Sequence, residues 1–552
     1  MKNSAAHRPM LQTLAIILLI VGICFRFTNL GEKVFWIDEA ATSFRISGYS
    51  EVEFMDSFTY DRIIGAKEFD KYQQPSPEKN SLDVIKNLAA EEPQLSPLYF
   101  VILRTWTDWF GSAIVSVRLL SVVISLLIFP CLYWLCIELF QSAQIAWMAV
   151  AIVAVSPFHV LFAQEARPYA LHTLTIVLSS AVLLKAIRQP NKLNWMLYAA
   201  TIASGLYSFL LFALVAIAHG IYVGIREITI NKFHSKKILI HYLLASAAGF
   251  IASIPWLAIV VINSSRIPQL DETKIVQKSG LAVLRDLAGG IRQIFFDLNS
   301  DAYASNIQIF AQSFDLHPLT KILYPVFNLL FLGLIGYAAY IVARKTSQQV
   351  WLFVGSIGIV GLVFLIALEK LLPRYSIATY LSLEILVAFL LAVKLLSPEM
   401  KRTKKLFWRI TATLLIAMGI LSCYVSSQAE TWWSKGNSHD ITLANIINQS
   451  PKPLIVSDAF PIELLSIGHY LNEKVRLQIQ SQCGFCVASP TINKPITFPK
   501  IPDTFSSLFL FLPSKTLKNE LEKTYQVSPL QEYDRGDQSQ FINVWRLTQK
   551  SN

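Results

Sequence analysis

Charge is scarce in this chain: lysine, arginine, aspartate and glutamate together make up 15% of its 552 residues, against 53% hydrophobic ones. That balance excludes an ordinary soluble globular domain, in which about a quarter of the residues are charged. Cysteine is also rare, with six in the whole length, so a disulfide-built scaffold is excluded. Cys24, Cys131, Cys136 and Cys423 fall within apolar runs and read as small apolar residues. Cys483 and Cys486 stand in a CxxC spacing, with no second CxxC and no histidine pair to complete a zinc site. A local disulfide in an oxidising compartment and a chance pair of thiols both fit them. No internal repeat or low-complexity tract is present, which argues against a solenoid and against the pseudo-symmetric halves of many transporters.

What the chain has instead is a succession of apolar runs. A helical span needs about 20 apolar residues, and runs of that kind lie near 10–28, 114–137, 143–161, 169–187, 194–208, 210–225, 238–262, 321–343, 350–369, 375–396 and 406–425. They predict a polytopic α-helical membrane protein with about eleven spans. The first run has no small-x-small site after it and reads as a retained span. The net charge of +11 would suggest a nucleic-acid partner in a soluble protein. Here the basic residues gather at Lys2 and Arg8 and in short loops at 185–192, 226–237, 343–349 and 394–405, so the excess reports topology. By the positive-inside rule these loops are cytoplasmic, with the N-terminus inside and the C-terminus outside.

Two places strain this reading. The stretch 194–225 is long for one span and short for two, and is split at Tyr207–Ser208. Residues 96–111 are apolar but carry Arg104 and Asp108 and end in tryptophans, the pattern of a helix lying at the interface. The membrane part, 1–425, then sends two large loops outside, 29–111 and 263–320. The remainder, 426–552, is of ordinary polarity. Strand-like runs at 453–458, 474–480, 507–513 and 541–548 alternate there with helix-like runs at 461–471 and 515–525, predicting a small extracytoplasmic α/β domain.

Three sets of ionisable residues stand at span boundaries on the outer side. In "VFWIDEAATSF", Asp38 and Glu39 follow Trp36 just past the first span. They could simply serve the positive end of a short helix; under aromatic cover, a partly desolvated carboxylate also suits a general base. In "SPFHVLFAQEARPYAL", His159, Glu165 and Arg167 lie between two apolar spans, where ionisable groups are costly unless paired or functional. An internal Glu165–Arg167 pair and a satisfied histidine are the plainer alternatives. Lys370 and Arg374 in "EKLLPRYSIATY", and Arg266, Lys274, Lys278, Arg285 and Arg292 in the later loop, are outside cations against the topological bias. Arginines there suit a phosphate through paired hydrogen bonds, or anionic lipid headgroups. Carboxylates to activate an acceptor, guanidiniums to hold a phosphate and greasy surroundings together describe sugar transfer from a lipid phosphate.

At these residues the sequence resembles the GT-C superfamily of polytopic glycosyltransferases, in the group of the protein O-mannosyltransferases and aminoarabinose transferases. The resemblance runs through "FWIDEA", "EEPQLSPLYFVILRTWTDWFG", "VRLLSVVISLL", "SPFHVLFAQEARPYAL" and "LPRYSIATYLSLEILVAFLLA" in that order. It implies inverting transfer of a sugar from a polyprenyl-phosphate donor to a lipid, glycan or protein acceptor, at the outer face of a bacterial cytoplasmic membrane. Asp38 matches the first-loop aspartate taken as catalytic base, with Glu39 positioning base or acceptor, and Glu165 matches the second-loop acid. Arg167 and Arg374, with Lys370 and Arg292, would bind the donor phosphate. His159, Tyr169, Tyr375, Trp36 and Tyr99 would line the substrate. The chain departs from the pattern at Gln94–Ser96 and at Tyr207–Phe209, where relatives often carry a histidine, so the resemblance speaks more to the donor than to the acceptor. Some relatives use a divalent metal; one acid per loop leaves that open here. A ligase or polymerase of lipid-linked glycans is the alternative, and a transporter or flippase a more distant one.

Overall fold

The computed structural model describes residues 2–58, 62–229, 236–267, 280–298, 316–367, 373–398, 400–430, 432, 440–480, 500–530, 533–534, 540–541 and 544–550. The first half contains α1 (Lys2–Phe27), α2 (Ile37–Ser47), α3 (Glu51–Ser57), β1 (Ile63–Gly65), α4 (Ser81–Glu91), α5 (Leu98–Phe110), α6 (Ile114–Phe140), α7 (Ala143–Ala154), α8 (Pro157–Ala163), α9 (Tyr169–Arg188), α10 (Lys192–Ser208), α11 (Phe212–Thr229) and α12 (Lys237–Ile262). Then follow α13 (Gly280–Phe295), α14 (Leu316–Lys345), α15 (Gln348–Ala367), α16 (Ile377–Leu396), α17 (Arg402–Gln428) and α18 (Asp440–Gln449). The tail adds β2 (Pro453–Ser457), α19 (Pro461–Gly468), β3 (Arg476–Ile479), β4 (Ser507–Phe511), α20 (Lys515–Thr524), β5 (Tyr525–Pro529), β6 (Tyr533–Asp534), β7 (Gln540–Phe541) and β8 (Val544–Gln549).

Every apolar run read as a span is helical, and the chain is a multi-pass membrane protein. By length and composition, eight described helices can cross a bilayer, or nine if α7 and α8, bent by 63°, form one broken span. The two remaining apolar runs are α10, with 17 residues, and α15, with 20, so all eleven runs have a helical counterpart. α10 stops because Phe209 is extended, at the break expected around Tyr207–Ser208. α5 is a separate 13-residue helix, too short to span. Its Arg104 turns inward and donates to the carbonyls of Ile46, Ser47, Ser76 and Lys79, while Trp109 and Phe110 are left exposed.

The tail forms a sheet in the order β1-β3-β2-β4-β8-β5. β2 is parallel to β3 and β4, and all five of its residues are buried, as a central parallel strand requires. The edge strand β1 comes from the first loop and pairs antiparallel with β3, Ile64 opposite Leu477. One hydrophobic core runs from Phe35, Phe44 and Phe100 of the first loop through Leu120 of α6 to Leu464 and Leu465 of α19. First loop, membrane helices and tail thus bury their apolar surface against one another, and burial of this kind is the main force holding them.

Candidate functional site

The site is built on α2. Its first turn carries Asp38 and Glu39, where unpaired amides favour a carboxylate. Its end is fixed by Gly48 at φ 86°, a left-handed conformation that suits glycine, with Lys79 where a Cβ would stand. Asp38, Thr42 and Arg45 share one face at helical spacing. Asp38 is about a third open (30%), and its Oδ2 lies 3.8 Å from Arg167 Nη2 and 3.6 Å from Arg374 Nη1. Arg167 Nη1 also donates to the Asp38 carbonyl at 3.1 Å and to Thr42 Oγ1 at 3.0 Å. Two guanidiniums from distant parts of the chain therefore converge on one carboxylate.

Both guanidiniums are held charged. Burial works against the charge of Arg167, but the Asp38 carboxylate and Tyr169 outweigh it and its pKa is raised. For Arg374, burial is likewise outweighed, by Tyr169, Asp38 and Tyr375, and its pKa is raised. The Arg374 guanidinium lies 5.4 Å from the Tyr375 ring centre. Phe209, at the break between α10 and α11, packs against both Tyr169 and Tyr375 at 6.3 and 6.4 Å. One turn further along α2, Arg45 pairs with Glu51, Glu91 and Glu92.

Glu39 faces the opposite way. It is fully buried in a two-pronged pair with Arg118, whose Nε and Nη2 lie 2.9 and 2.7 Å from its two oxygens. Arg118 also donates to the carbonyls of Leu30, Lys33 and Val34, and Glu39 accepts the Ala166 amide at 2.8 Å. This network ties the first loop, the top of α6 and the second loop together. The tail completes the hold: Phe35 N donates to Tyr470 Oη at 2.6 Å, and Ser466 Oγ donates to Phe35 O at 3.0 Å. Glu165 is buried behind the same wall, bordering with Glu39, Arg118 and Glu430 a cavity of about 20 Å³, room for one water.

The structure brings Asp38, Arg167 and Arg374 together with Tyr169 and Tyr375 beside them; Glu39 and Glu165 lie one layer back, and Trp36 precedes α2 almost fully buried. Three of the expected residues lie away from the Asp38 cluster. Tyr99 has no exposed surface and its hydroxyl is bonded to Ser121 at 2.8 Å. His159 is buried against Glu384 at 2.9 Å. Arg292 is buried against Asp297 at 3.2 Å and the Tyr324 ring at 3.6 Å, so its charge is already engaged. Arg266 ends a short turn and Arg285 is exposed, both outside the Asp38 cluster. Lys370, Lys274, Lys278, Cys483 and Cys486 lie outside the described residues. Among the described residues no group of three or more His, Cys, Asp or Glu side chains could hold a metal ion, and the charges paired with Asp38 are cationic.

Sequence reasoning missed Arg118, Thr42 and Tyr470. For Arg118 a signal existed: an arginine inside an apolar helix requires a buried acid.

The architecture, a bundle of membrane helices carrying acidic first-loop helices and a tail domain, is the GT-C fold. Residues 92–259 match the model of the dolichyl-phosphate-mannose-protein mannosyltransferase family. ArnT from Cupriavidus metallidurans bound to undecaprenyl phosphate has a similar fold, with a TM-score of 0.52 and 12% identity over 97% of each chain. Its apo state gives 0.52 and 12% over 96% of this chain and 97% of that one. The Archaeoglobus fulgidus oligosaccharyltransferase with zinc and sulfate gives 0.50 and 11%, over 96% of this chain and 73% of that one. No curated protein matches the chain.

Proposed function

We propose that the protein is an inverting glycosyltransferase that moves a hexosyl or pentosyl group from a polyprenyl-phosphate carrier to an acceptor at the outer face of a bacterial cytoplasmic membrane. The observation that carries this reading is the partly open Asp38 carboxylate set between the Arg167 and Arg374 guanidiniums. In the resting protein Asp38 is their counter-ion. When the carrier phosphate arrives, the guanidiniums turn to it and Asp38 is released to act on the acceptor. Asp38 takes the proton of the acceptor hydroxyl or amine as that atom bonds to the anomeric carbon. The bond from that carbon to the phosphate oxygen breaks on the opposite face, and its electrons stay on the departing polyprenyl phosphate. Charge grows on the phosphate during the step, and the guanidiniums already turned to it stabilise that state more than the ground state.

The chain's own residues divide the remaining work. Thr42 orients Arg167, the Glu39–Arg118 pair fixes the helix that carries Asp38, and Tyr375 stacks beside Arg374. The match to a mannosyltransferase family and the likeness to an undecaprenyl-phosphate-bound protein support a lipid-phosphate donor. Basic loops at 226–237 and 394–405, against a tail at the other end of α17, support an outward-facing site. The test is to incubate purified protein with a panel of polyprenyl-phosphate sugars, with and without chelator, and to measure carrier release and anomeric configuration. Chelator-insensitive release with inversion is expected. No release from any member would overturn the proposal, and release of a diphosphate from an oligosaccharide donor would replace it with a glycan ligase.

A further inference from the structure

α7 and α8 meet at a bend of 63°, and the bend frees backbone carbonyls inside an apolar bundle, where each must find a donor. Arg26 donates to Ala154 O at 2.8 Å and Val153 O at 3.3 Å, and Cys423 Sγ lies 3.5 Å from Val155 O. Ser156 Oγ donates to Ile294 O at 2.8 Å. At the far end Gln164 Nε2 reaches the carbonyls of Phe25 and Thr28 at 2.8 and 2.9 Å. Arg26 and Cys423 thus serve the carbonyls at the break, while Ser156 and Gln164 tie α8 to α13 and to the end of α1. They leave unexplained the imidazole and carboxylate in the middle, His159 Nε2 to Glu384 Oε2 at 2.9 Å, with side-chain exposures of 4% and 0%.

A buried ionisable pair is a weak source of net stability, because desolvation offsets most of its attraction. Its stronger effect is directional: it fixes how two elements sit, which apolar packing such as Phe158 against Tyr380 does not. The two elements here are the ones that deliver the arginines. α8 runs directly into the turn that carries Arg167. α16, about two turns before it reaches Glu384, begins just past Arg374.

We propose that the His159–Glu384 pair is a positioning device that sets the separation of the Arg167 and Arg374 guanidiniums, and with it the fit of the site to the carrier phosphate. The proposal rests on the reading that these guanidiniums hold that phosphate. Neither His159 nor Glu384 contacts Asp38, Arg167 or Arg374 among the described residues, so the pair acts through the two helices.

The experiment uses the full-length protein in nanodiscs. His159→Phe, Glu384→Leu, the double variant and Glu384→Gln are compared for affinity toward sugar-free polyprenyl phosphate, donor and acceptor KM, kcat and unfolding temperature. His159→Phe and Glu384→Leu are each expected to weaken carrier binding and raise donor KM roughly tenfold, with acceptor KM unchanged. The double variant is expected to be no worse than either single one, because both remove the same contact. Glu384→Gln, which still accepts the hydrogen bond, should stay close to the unsubstituted protein. Folded variants that keep normal carrier affinity and donor KM overturn the proposal, as does a fall in unfolding temperature alone. If the unsubstituted protein neither binds carrier nor transfers sugar, the functional reading fails, and the pair is judged by geometry. Cysteines placed at Arg167 and Arg374 should then cross-link with a short bifunctional reagent several-fold more slowly in the His159→Phe background, and an unchanged rate refutes the device.

Discussion

Replacing Asp38 by asparagine should move two measured quantities in opposite directions. The carboxylate is both the proposed base and the resting counter-ion of Arg167 and Arg374, with Oδ2 at 3.8 and 3.6 Å from them. As base, its loss should lower kcat by about 10²- to 10⁴-fold. As counter-ion, it competes with the incoming phosphate. Two such contacts would each be worth on the order of 4 kcal/mol at an effective dielectric of 20, but partly exposed pairs measure about 0.2–1 kcal/mol. Removing both should therefore release up to about 2 kcal/mol, which by the usual conversion tightens carrier binding as much as roughly thirty-fold. The assay is a titration of sugar-free polyprenyl phosphate beside single-turnover transfer. Turnover within tenfold of the unsubstituted protein would remove Asp38 as base. Weaker carrier binding would mean that Asp38 organises the arginines for phosphate instead of competing with it.

Arg118→Met should strand the buried Glu39 carboxylate and cost about 3–5 kcal/mol, whereas Glu39→Met/Arg118→Met should cost less; thermal unfolding in detergent compares them, and a single variant as stable as the double would discount the pair. Arg374→Ala should raise donor KM by roughly 10- to 100-fold through loss of a charge-assisted contact to phosphate, while Arg292→Ala lowers stability and leaves carrier affinity of the folded protein unchanged. Equal effects on carrier binding would return Arg292 to the site. His469 packs edge-on against Phe35 at 4.5 Å, and burial together with Arg118 depresses its pKa to about 3. The unfolded chain takes up the proton near pH 6.5 and the folded one does not, so stability is intact above that pH and falls by about 1.4 kcal/mol per unit as pH drops toward 3. Unfolding of His469→Phe should show that much less acid sensitivity between pH 6 and 4, and an unchanged slope would assign the sensitivity elsewhere.

The tail was legible wherever periodicity carried it. The buried run Pro453–Ser457 and the amphipathic Lys515–Thr524 announce a strand and a helix without help from the rest of the chain. β1 was not legible, because a three-residue strand has no period to read and forms only because β3 offers it an edge. The kink at α7–α8 was not legible for a related reason: hydropathy sees apolar content, while a bend between two helices is a backbone event. Asp38, Arg167 and Arg374, which the structure brings together, drew attention in the sequence because charge beside a membrane stands out. Arg292 satisfied the same criterion, and its pairing with Asp297, five residues away, was not legible because that aspartate shows nothing by itself in the sequence.

Helix geometry explains why the adjacent acids cannot share one task. Successive residues of an α-helix point about 100° apart, so once Asp38 faces the two incoming guanidiniums, Glu39 must face the protein interior. A buried carboxylate there needs a partner of matching shape, and only an arginine supplies two parallel donors with three more left for the backbone. Arg118 meets that need from the top of α6, and its remaining donors hold the carbonyls of Leu30, Lys33 and Val34. The peptide leading into α2 is therefore immobilised by the residue that neutralises Glu39. An aspartate exchanged at position 39 would keep the charge but, being one methylene shorter, would reach Arg118 or the Ala166 amide and not both, so the second loop would lose its register with the first. The "DE" pair is thus one acid for the site and one for the frame that aims it.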